Sequence, residues 1–440
     1  MMNLRYLTLS LAVASAFSVP AQAQSLVELY DAARGFDASY QSAKSQYEAS
    51  LYRAEQAKAG LLPTAGLSLG ANRSNIGSDV PSIEKTFGSQ SATVSASQPL
   101  YRPANVAAAE QGKKSIGVAK AQLQAADQTL IVSVSQAYFD VLASTDNLTF
   151  VQAQKAAVSE QLASAKRNFE VGTSTITDTR EAQAKYDLVL AQEIAAENDL
   201  RVKKLALDQV TGKVGAAPKA LTVPVTIAPV SPDDVNRWVA DSEQSHPSIR
   251  QAQLGLEVAQ LETQKAQAGH KPTLDLVGSY SLTQNNGSAS SAADYRTNVA
   301  SLGLNFNLPL FAGYAIQNRV KETLALEDKA RNDLDGAKRG VAQATRSAFF
   351  GVESGLGQVK ALEAAEASSQ SALDATKLGY QVGVRINIDV LNAQTALFDT
   401  KAKLAKARYD VLMGGLKLRQ ANGTLKAEDL SSVNRLLVKP

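Results

Sequence analysis

The chain has 440 residues, 45% hydrophobic and 20% charged, with 45 Lys plus Arg against 42 Asp plus Glu and a formal charge of +3. This composition excludes a disordered or acidic-tail protein, and the near-balance of charge argues against nucleic-acid binding through a basic face. With no cysteine and only two histidines, His246 and His270, disulfides, thiolate metal sites, Cys nucleophiles and a His-rich metal centre are excluded as well.

Residues 1–23 read as a secretory signal peptide: Arg5 supplies the positive start, Leu7 to Val19 an apolar run, and Ala21-Gln22-Ala23 a small-x-small cleavage site. The mature chain is expected to begin at Gln24, which is not a lipidated Cys. No later stretch reaches the roughly 18 apolar residues of a spanning helix. The expected destination is the periplasm, the outer membrane or the exterior.

A helical segment then runs to Gly60 and Pro63. Residues 64–98 alternate and predict a β-hairpin. Leu67, Leu69 and Ala71 share one face against Ser68, Gly70 and Asn72; Ala92, Val94 and Ala96 oppose Thr93, Ser95 and Ser97. Each strand is near the ~9–11 residues of a tilted transmembrane strand, and the Ser/Asn/Gly-rich link over 73–89 suits an exposed loop. After Pro99 and Pro103 no proline occurs until Pro218. A helix over about 104–170 would be roughly 100 Å long at ~1.5 Å per residue. Ile116, Leu123, Leu130 and Ala137 repeat every seventh position within it, which favours coiled-coil packing. Gly172 breaks this run, and a second helix continues to Thr211-Gly212. Residues 213–247, with Pro218, Pro224, Pro229, Pro232 and Pro247, read as a linker.

The plan then repeats. Lys265-Ala266-Gln267-Ala268-Gly269 before Pro272 copies Gln56-Ala57-Lys58-Ala59-Gly60 before Pro63, and Tyr380-Gln381-Val382-Gly383 copies Phe169-Glu170-Val171-Gly172. The offset stays at about 210 residues, so the chain is a tandem duplication of a domain. Its expected parts are a first repeat over 24–212, the linker 213–247, a second repeat over 248–423 and a C-terminal segment 424–440. The second hairpin is expected over about 273–308, with an exposed link over 284–296. Ala300, Leu302, Leu304, Phe306 and Leu308 form one of its faces. Val390, Leu397, Leu404, Val411 and Leu418 carry the second heptad rhythm.

Four strands cannot close a barrel, and an open edge in lipid leaves backbone groups unpaired. If the hairpins span a membrane, several chains must pool them, and a trimer would supply twelve strands and a tube of long helices. The other reading of the pattern is a periplasmic coiled-coil adaptor or scaffold.

The order of elements resembles the TolC family of outer-membrane channel proteins. The resemblance rests on Ala59-Gly60-Leu61-Leu62-Pro63, on His270-Lys271-Pro272-Thr273-Leu274-Asp275-Leu276, on Phe169 to Thr173 running into Thr177-Asp178, and on Gly379 to Arg385 running into Asp389-Val390-Leu391. It implies a fold of mixed long α-helix and transmembrane β: a homotrimer with a twelve-stranded barrel in outer-membrane lipid and a helical periplasmic tunnel. It also implies docking to a periplasmic adaptor and an inner-membrane transporter, ABC or proton-driven, for drug efflux or type I secretion. No enzymatic activity, cofactor, metal or nucleic acid is implied.

By the same resemblance, Asp178, Tyr380 and Arg385 match positions that link neighbouring helices and hold the periplasmic end shut. Asp389 matches one acid of a ring at the constriction, and Asn392 stands where a second acid is expected. Val171, Gly172, Thr173, Val382, Gly383 and Val384 mark the helix reversals and the adaptor-docking face. Pro63, Pro99, Pro272 and Pro309 mark the junction between barrel and tunnel.

Overall fold

The computed structural model describes residues 23–79, 82–222, 227–288 and 291–438. Nearly all of the expected signal peptide, Pro224 of the linker and short pieces of both hairpin links lie outside the described residues.

Helices α1 (Leu26–Phe36) and α2 (Ala38–Ala59) lead to strands β1 (Thr64–Asp79) and β2 (Ser82–Tyr101). Helices α3 (Pro103–Glu170) and α4 (Ile176–Thr211) complete the first copy. Helix α5 (Val235–Ser245) follows, then α6 (Pro247–Gln267), β3 (Thr273–Asn286), β4 (Asp294–Asn307), α7 (Ala315–Gln381), α8 (Asn387–Asn422) and the short α9 (Asp429–Asn434). The two long helices have 68 and 67 residues and their successors 36 each. Proline placement explains this: Pro103 opens α3 at a position where a missing N–H is harmless, and no later proline interrupts either long run.

The chain divides into two compact units, and each draws on both sequence copies. One comprises residues 1–42, 124–246 and 339–440; the other comprises 43–123 and 247–338.

The first unit holds the helix reversals and an interior that the heptads supply. Leu130, Val390, Leu397, Leu404, Val411 and Leu418 are buried, while Ala137 is half-buried. One cluster joins Val158, Leu162, Ala165, Ala182 and Val189 to Leu391, so the two copies share a core. Another joins Phe349, Val352 and Leu404 to Leu418, with Ile227, Val230 and Trp238 from the inter-copy segment packed on it. The N-terminal, inter-copy and C-terminal segments are tied by backbone bonds. Gln24 N donates to Ala217 O at 2.7 Å, Thr222 N to Leu436 O at 2.9 Å, and Val438 N to Ala220 O at 2.9 Å.

The second unit holds the sheet, antiparallel throughout in the order β1-β2-β3-β4. The β2–β3 pairing fuses the two hairpins. One face carries five apolar rows: Leu274–Phe306, Gln98–Leu276–Leu304, Ala65–Ala96–Gly278–Leu302, Leu67–Val94–Tyr280–Ala300 and Leu69–Ala92–Leu282–Asn298. At about 6.8 Å per row these span roughly 27 Å along the strands, against the ~25 Å apolar band of an outer-membrane barrel. The next row, Ala71–Gln90–Gln284–Arg296, is polar. The opposite face is mostly Ser, Thr, Asn and Gly, interrupted by Val277, Val299, Phe87 and Asp275 among others, with hydroxyl pairs Thr93–Ser281 at 2.9 Å and Ser279–Ser301 at 2.7 Å.

The strands are longer than the expected 9–11 residues, at 16, 20, 14 and 14. Most of the link expected over 73–89 is strand, because the β1–β2 ladder continues to Asp79–Ser82. Alternation of apolar and polar residues marks only the length of the apolar rows. Beyond it one face is polar and the other carries Ile76 and Phe87 among Ser, Asn and Lys, so backbone pairing continues without a continuous apolar row to reveal it.

Candidate functional site

Two regions hold the residues singled out by sequence: the helix reversals in the first unit and the strand–helix junction in the second.

Both reversals close in the same way. Gly172 and Gly383 adopt φ of 78° and 77°, a left-handed conformation that glycine reaches without a Cβ clash. Thr173 N donates to Asn168 O at 2.8 Å and Val384 N to Gly379 O at 2.9 Å, the long-range bond of a Schellman motif. The tips are apolar and open to solvent: Val171 is 72% exposed, Val382 66% and Val384 77%. Thr173 is exposed beside them.

The restarts differ between copies. Helix α4 begins with a capping box in which Thr175 Oγ1 accepts from Asp178 N at 3.2 Å. The Asp178 carboxylate in turn accepts from Ser174 Oγ at 2.7 Å, Thr175 Oγ1 at 2.8 Å and Thr175 N at 3.0 Å. The Ser174 hydroxyl first of all holds the Asp178 pKa below the usual carboxylate range; burial pushes it the other way, and the two Thr175 donors add to the lowering. Helix α8 starts at Ile386 with no side-chain cap. There Arg385 Nη1 lies 3.7 Å from Asp389 Oδ2, and the Arg385 stem folds over Gly379 so closely that a Cβ on Gly379 would meet Arg385 Cγ at 2.8 Å.

Within one chain, then, Asp178 does not reach the Tyr380 hydroxyl or the Arg385 guanidinium. Its carboxylate is taken by donors three and four residues away, which cost almost no chain entropy to bring together. The two copies are joined by other residues. Asn168 Nδ2 donates to Tyr380 Oη at 3.2 Å, Asn387 Nδ2 to the Asp178 carbonyl at 3.4 Å, and Gln161 Nε2 to Asn387 Oδ1. Asn387 is buried, Asp389 half-buried and Asn392 exposed. Asn168, Gln161 and Asn387 carry no local signal in the sequence. The Thr175–Asp178 box does, as a hydroxyl followed three residues later by an acid.

At the junction, Pro63 and Pro272 stand directly before β1 and β3, and Pro309 follows β4. Pro99 lies inside β2, where the register slips: Pro99 pairs with Asp275 and Tyr101 with Leu274, leaving Leu100 as an extra residue. The bulge delivers Arg102 onto Asp275, with Nε to Oδ1 at 2.7 Å and Nη2 to Oδ2 at 2.6 Å. Among the described residues, no group of His, Cys, Asp or Glu is arranged to hold a metal ion.

A strand wall with one apolar and one hydroxyl-lined face, continued by unusually long helices, is the architecture of a membrane duct, and comparison with known proteins agrees. The outer membrane efflux protein family matches residues 29–213 and again 238–424. The chain belongs to that family.

This efflux-family chain is 34% identical to the outer membrane protein TolC of Escherichia coli K12 over 435 residues, covering 97% of this chain and 87% of TolC. It is 28% identical to the alkaline protease secretion protein AprF of Pseudomonas aeruginosa, covering 93% and 86% respectively. Among solved structures it resembles the outer membrane protein VceC of Vibrio cholerae with a TM-score of 0.79 at 19% identity, covering 90% of this chain and 96% of VceC. The two family matches correspond to the internal duplication. The efflux chain is an outer-membrane exit duct, with its sheet in the membrane and a helical periplasmic extension.

Proposed function

We propose that three copies of this chain form one continuous conduit, with twelve strands closing the barrel and the long helices enclosing the tunnel. The observation that carries this is the pair of free sheet edges. Strands β1 and β4 each have one neighbour, while their outer faces carry Leu67, Leu69, Leu302 and Leu304, all more than 60% exposed. In lipid each unpaired backbone group costs several kcal/mol, so the apolar face and the open edges are compatible only if other copies pair with them.

The conduit works passively, without a catalytic step, as the last component of a tripartite export system. An inner-membrane transporter, ABC or proton-driven, supplies the energy, and a periplasmic adaptor docks on the exposed valines of the two reversals. The cargo class is a type I secreted protein, a drug, or both. TolC and AprF, the latter named for alkaline protease secretion, support this reading. Asp178, Tyr380, Arg385 and Asp389 act at the periplasmic end, with Asn392 leaving the acidic ring less negative than a double ring. Pro63, Pro99, Pro272 and Pro309 end or interrupt pairing where barrel becomes tunnel.

Chemical crosslinking of detergent-extracted protein tests the assembly. A ladder ending at three subunits is expected, and a product that stays monomeric and soluble without detergent contradicts it. Single cysteines at Val171 and Val382, in a chain that has none of its own, should crosslink to the adaptor. No crosslink across a full scan of both reversals would remove the docking face.

A further inference from the structure

We propose that the Arg102–Asp275 pair is a charge-compensated throat that keeps the duct free of ion preference where the barrel meets the tunnel; this rests on the trimeric conduit proposed above. Asp275 lies on the hydroxyl-lined face of the sheet, the face that becomes the lumen once the apolar rows face lipid. Its register neighbours are Pro99 and Asn305. Among the described residues on that face, the permanently charged side chains are Asp275 and, at the far end of the first hairpin, Lys85. The rest of that face offers hydroxyls, amides, backbone and a few apolar side chains such as Val277, Val299 and Phe87, none of which distinguishes cations from anions by charge.

Asp275 therefore sits where it would dominate the field of the barrel end, and the structure removes it. Its side chain is 5% exposed, beneath an Arg102 side chain that is 43% exposed. The contact is bidentate, with both carboxylate oxygens taken at 2.7 and 2.6 Å. A planar fork on a carboxylate is the strongest and most directional ion pair available to side chains. The next cations, Lys265 and Arg319 on α6 and α7, are likewise held by Glu262 at 3.2 and 2.7 Å. The side open to solvent is thus the guanidinium, neutralised from behind. In a trimer this makes a ring of three cations backed by three buried anions, a selectivity device held at zero.

The arrangement also accounts for the bulge. On a regular ladder Leu100 would pair with Leu274 and Arg102 would come level with Pro272, on the face opposite to Asp275; with the slip Tyr101 pairs with Leu274 and Arg102 comes level with Thr273, one pair nearer and on the face of Asp275. The slip at Pro99 brings the first residue beyond the strand back over the carboxylate.

The test is reversal potential in a potassium chloride gradient, recorded on assembled trimers in planar bilayers. Wild-type conduction establishes the duct; the sign of each variant's shift then tests the pair separately. Asp275→Asn exposes an uncompensated guanidinium ring and should shift the reversal potential toward the chloride equilibrium potential. Arg102→Gln leaves three carboxylates and should shift it toward the potassium equilibrium potential. The double variant should return to the wild-type value, which a merely structural role would not produce. Should one single variant fail to assemble, the other single and the double still decide. Assembled variants with unchanged reversal potentials, shifts of the same sign, or a double variant displaced from wild type would each overturn the proposal.

Discussion

Asn168 donates from its amide to the Tyr380 hydroxyl at 3.2 Å, joining the last turn of α3 to the last turn of α7. The contact lies beside both helix reversals and links the two copies of the duplicated sequence. A net hydrogen bond of this kind is worth about 0.5–1.5 kcal/mol. Tyr380→Phe keeps the ring against the Leu373, Val390 and Leu397 cluster and removes only the acceptor. The expected outcome is a larger single-channel conductance with the same yield of assembled protein. Unchanged conductance would mean that this bond does not hold the closed end.

Asp178 fastens the start of α4 through Ser174 and Thr175, and Asp178→Ala removes the reciprocal half of that box. Loss of an N-terminal cap interaction costs about 0.5–2 kcal/mol. Combined with Arg385→Ser, which also frees Asp389, the substitution should raise single-channel conductance above that of either single variant. Equal conductance in wild type and double variant would count against a role for these residues in closure.

The direction of the Asp178 shift gives a pH dependence. Its folded pKa is below its unfolded value, so its contribution is present above the unfolded carboxylate range and is lost as pH falls through the folded pKa. Acidification below the carboxylate range should therefore loosen the reversal, seen as rising conductance. Asp178→Asn should weaken that acid response. An identical acid response in the variant would assign it to other carboxylates.

Asp389 is half-buried, with Arg385 Nη1 3.7 Å from its Oδ2. Three copies at a constriction would attract cations. Asp389→Ala should lower the cation preference measured in a salt gradient, and Asn392→Asp, one turn along α8, should raise it. A reversal potential unmoved by both changes would remove the ring from the account.

Two glycines with the same backbone conformation separate strain from packing. Gly383 (φ 77°) has open space where a Cβ would sit, whereas at Gly423 (φ 83°) a Cβ would run into the backbone of His246. Gly383→Ala should cost only the left-handed penalty of about 1–2 kcal/mol. Gly423→Ala should cost more, since the C-cap residue of α5 must also move. Thermal denaturation in detergent checks the order, and equal losses would show that the His246 segment yields freely.

The parts legible in the sequence are those written by short-range periodicity. Expected helix limits of about 104–170 became Pro103–Glu170, because Pro103 starts the helix and Gly172 ends it through its positive φ. The heptad residues Leu397, Leu404 and Val411 are buried as their spacing required. The outer ends of β1 and β2 leave little trace in the sequence because Asn75–Thr86 and Gly77–Glu84 offer no apolar pair to mark a strand; the Thr86 hydroxyl donates to Asn75 Oδ1 at 3.2 Å instead. The Arg102–Asp275 contact was missed for a different reason. Its partners are 173 residues apart and are brought together by a one-residue bulge and the β2–β3 pairing between copies, neither of which leaves a local pattern. Asp178 was expected to bond across helices, while Ser174 and Thr175, its own neighbours, take it first.

The central claim is that several copies of this chain enclose one water-filled path through the outer membrane. Planar-bilayer recording of the purified, detergent-extracted protein tests it most directly. The account predicts discrete, step-like insertions of uniform conductance from the crosslinked trimer band and none from the dissociated chain. A monomer that is stable without detergent and leaves the bilayer electrically silent would contradict it.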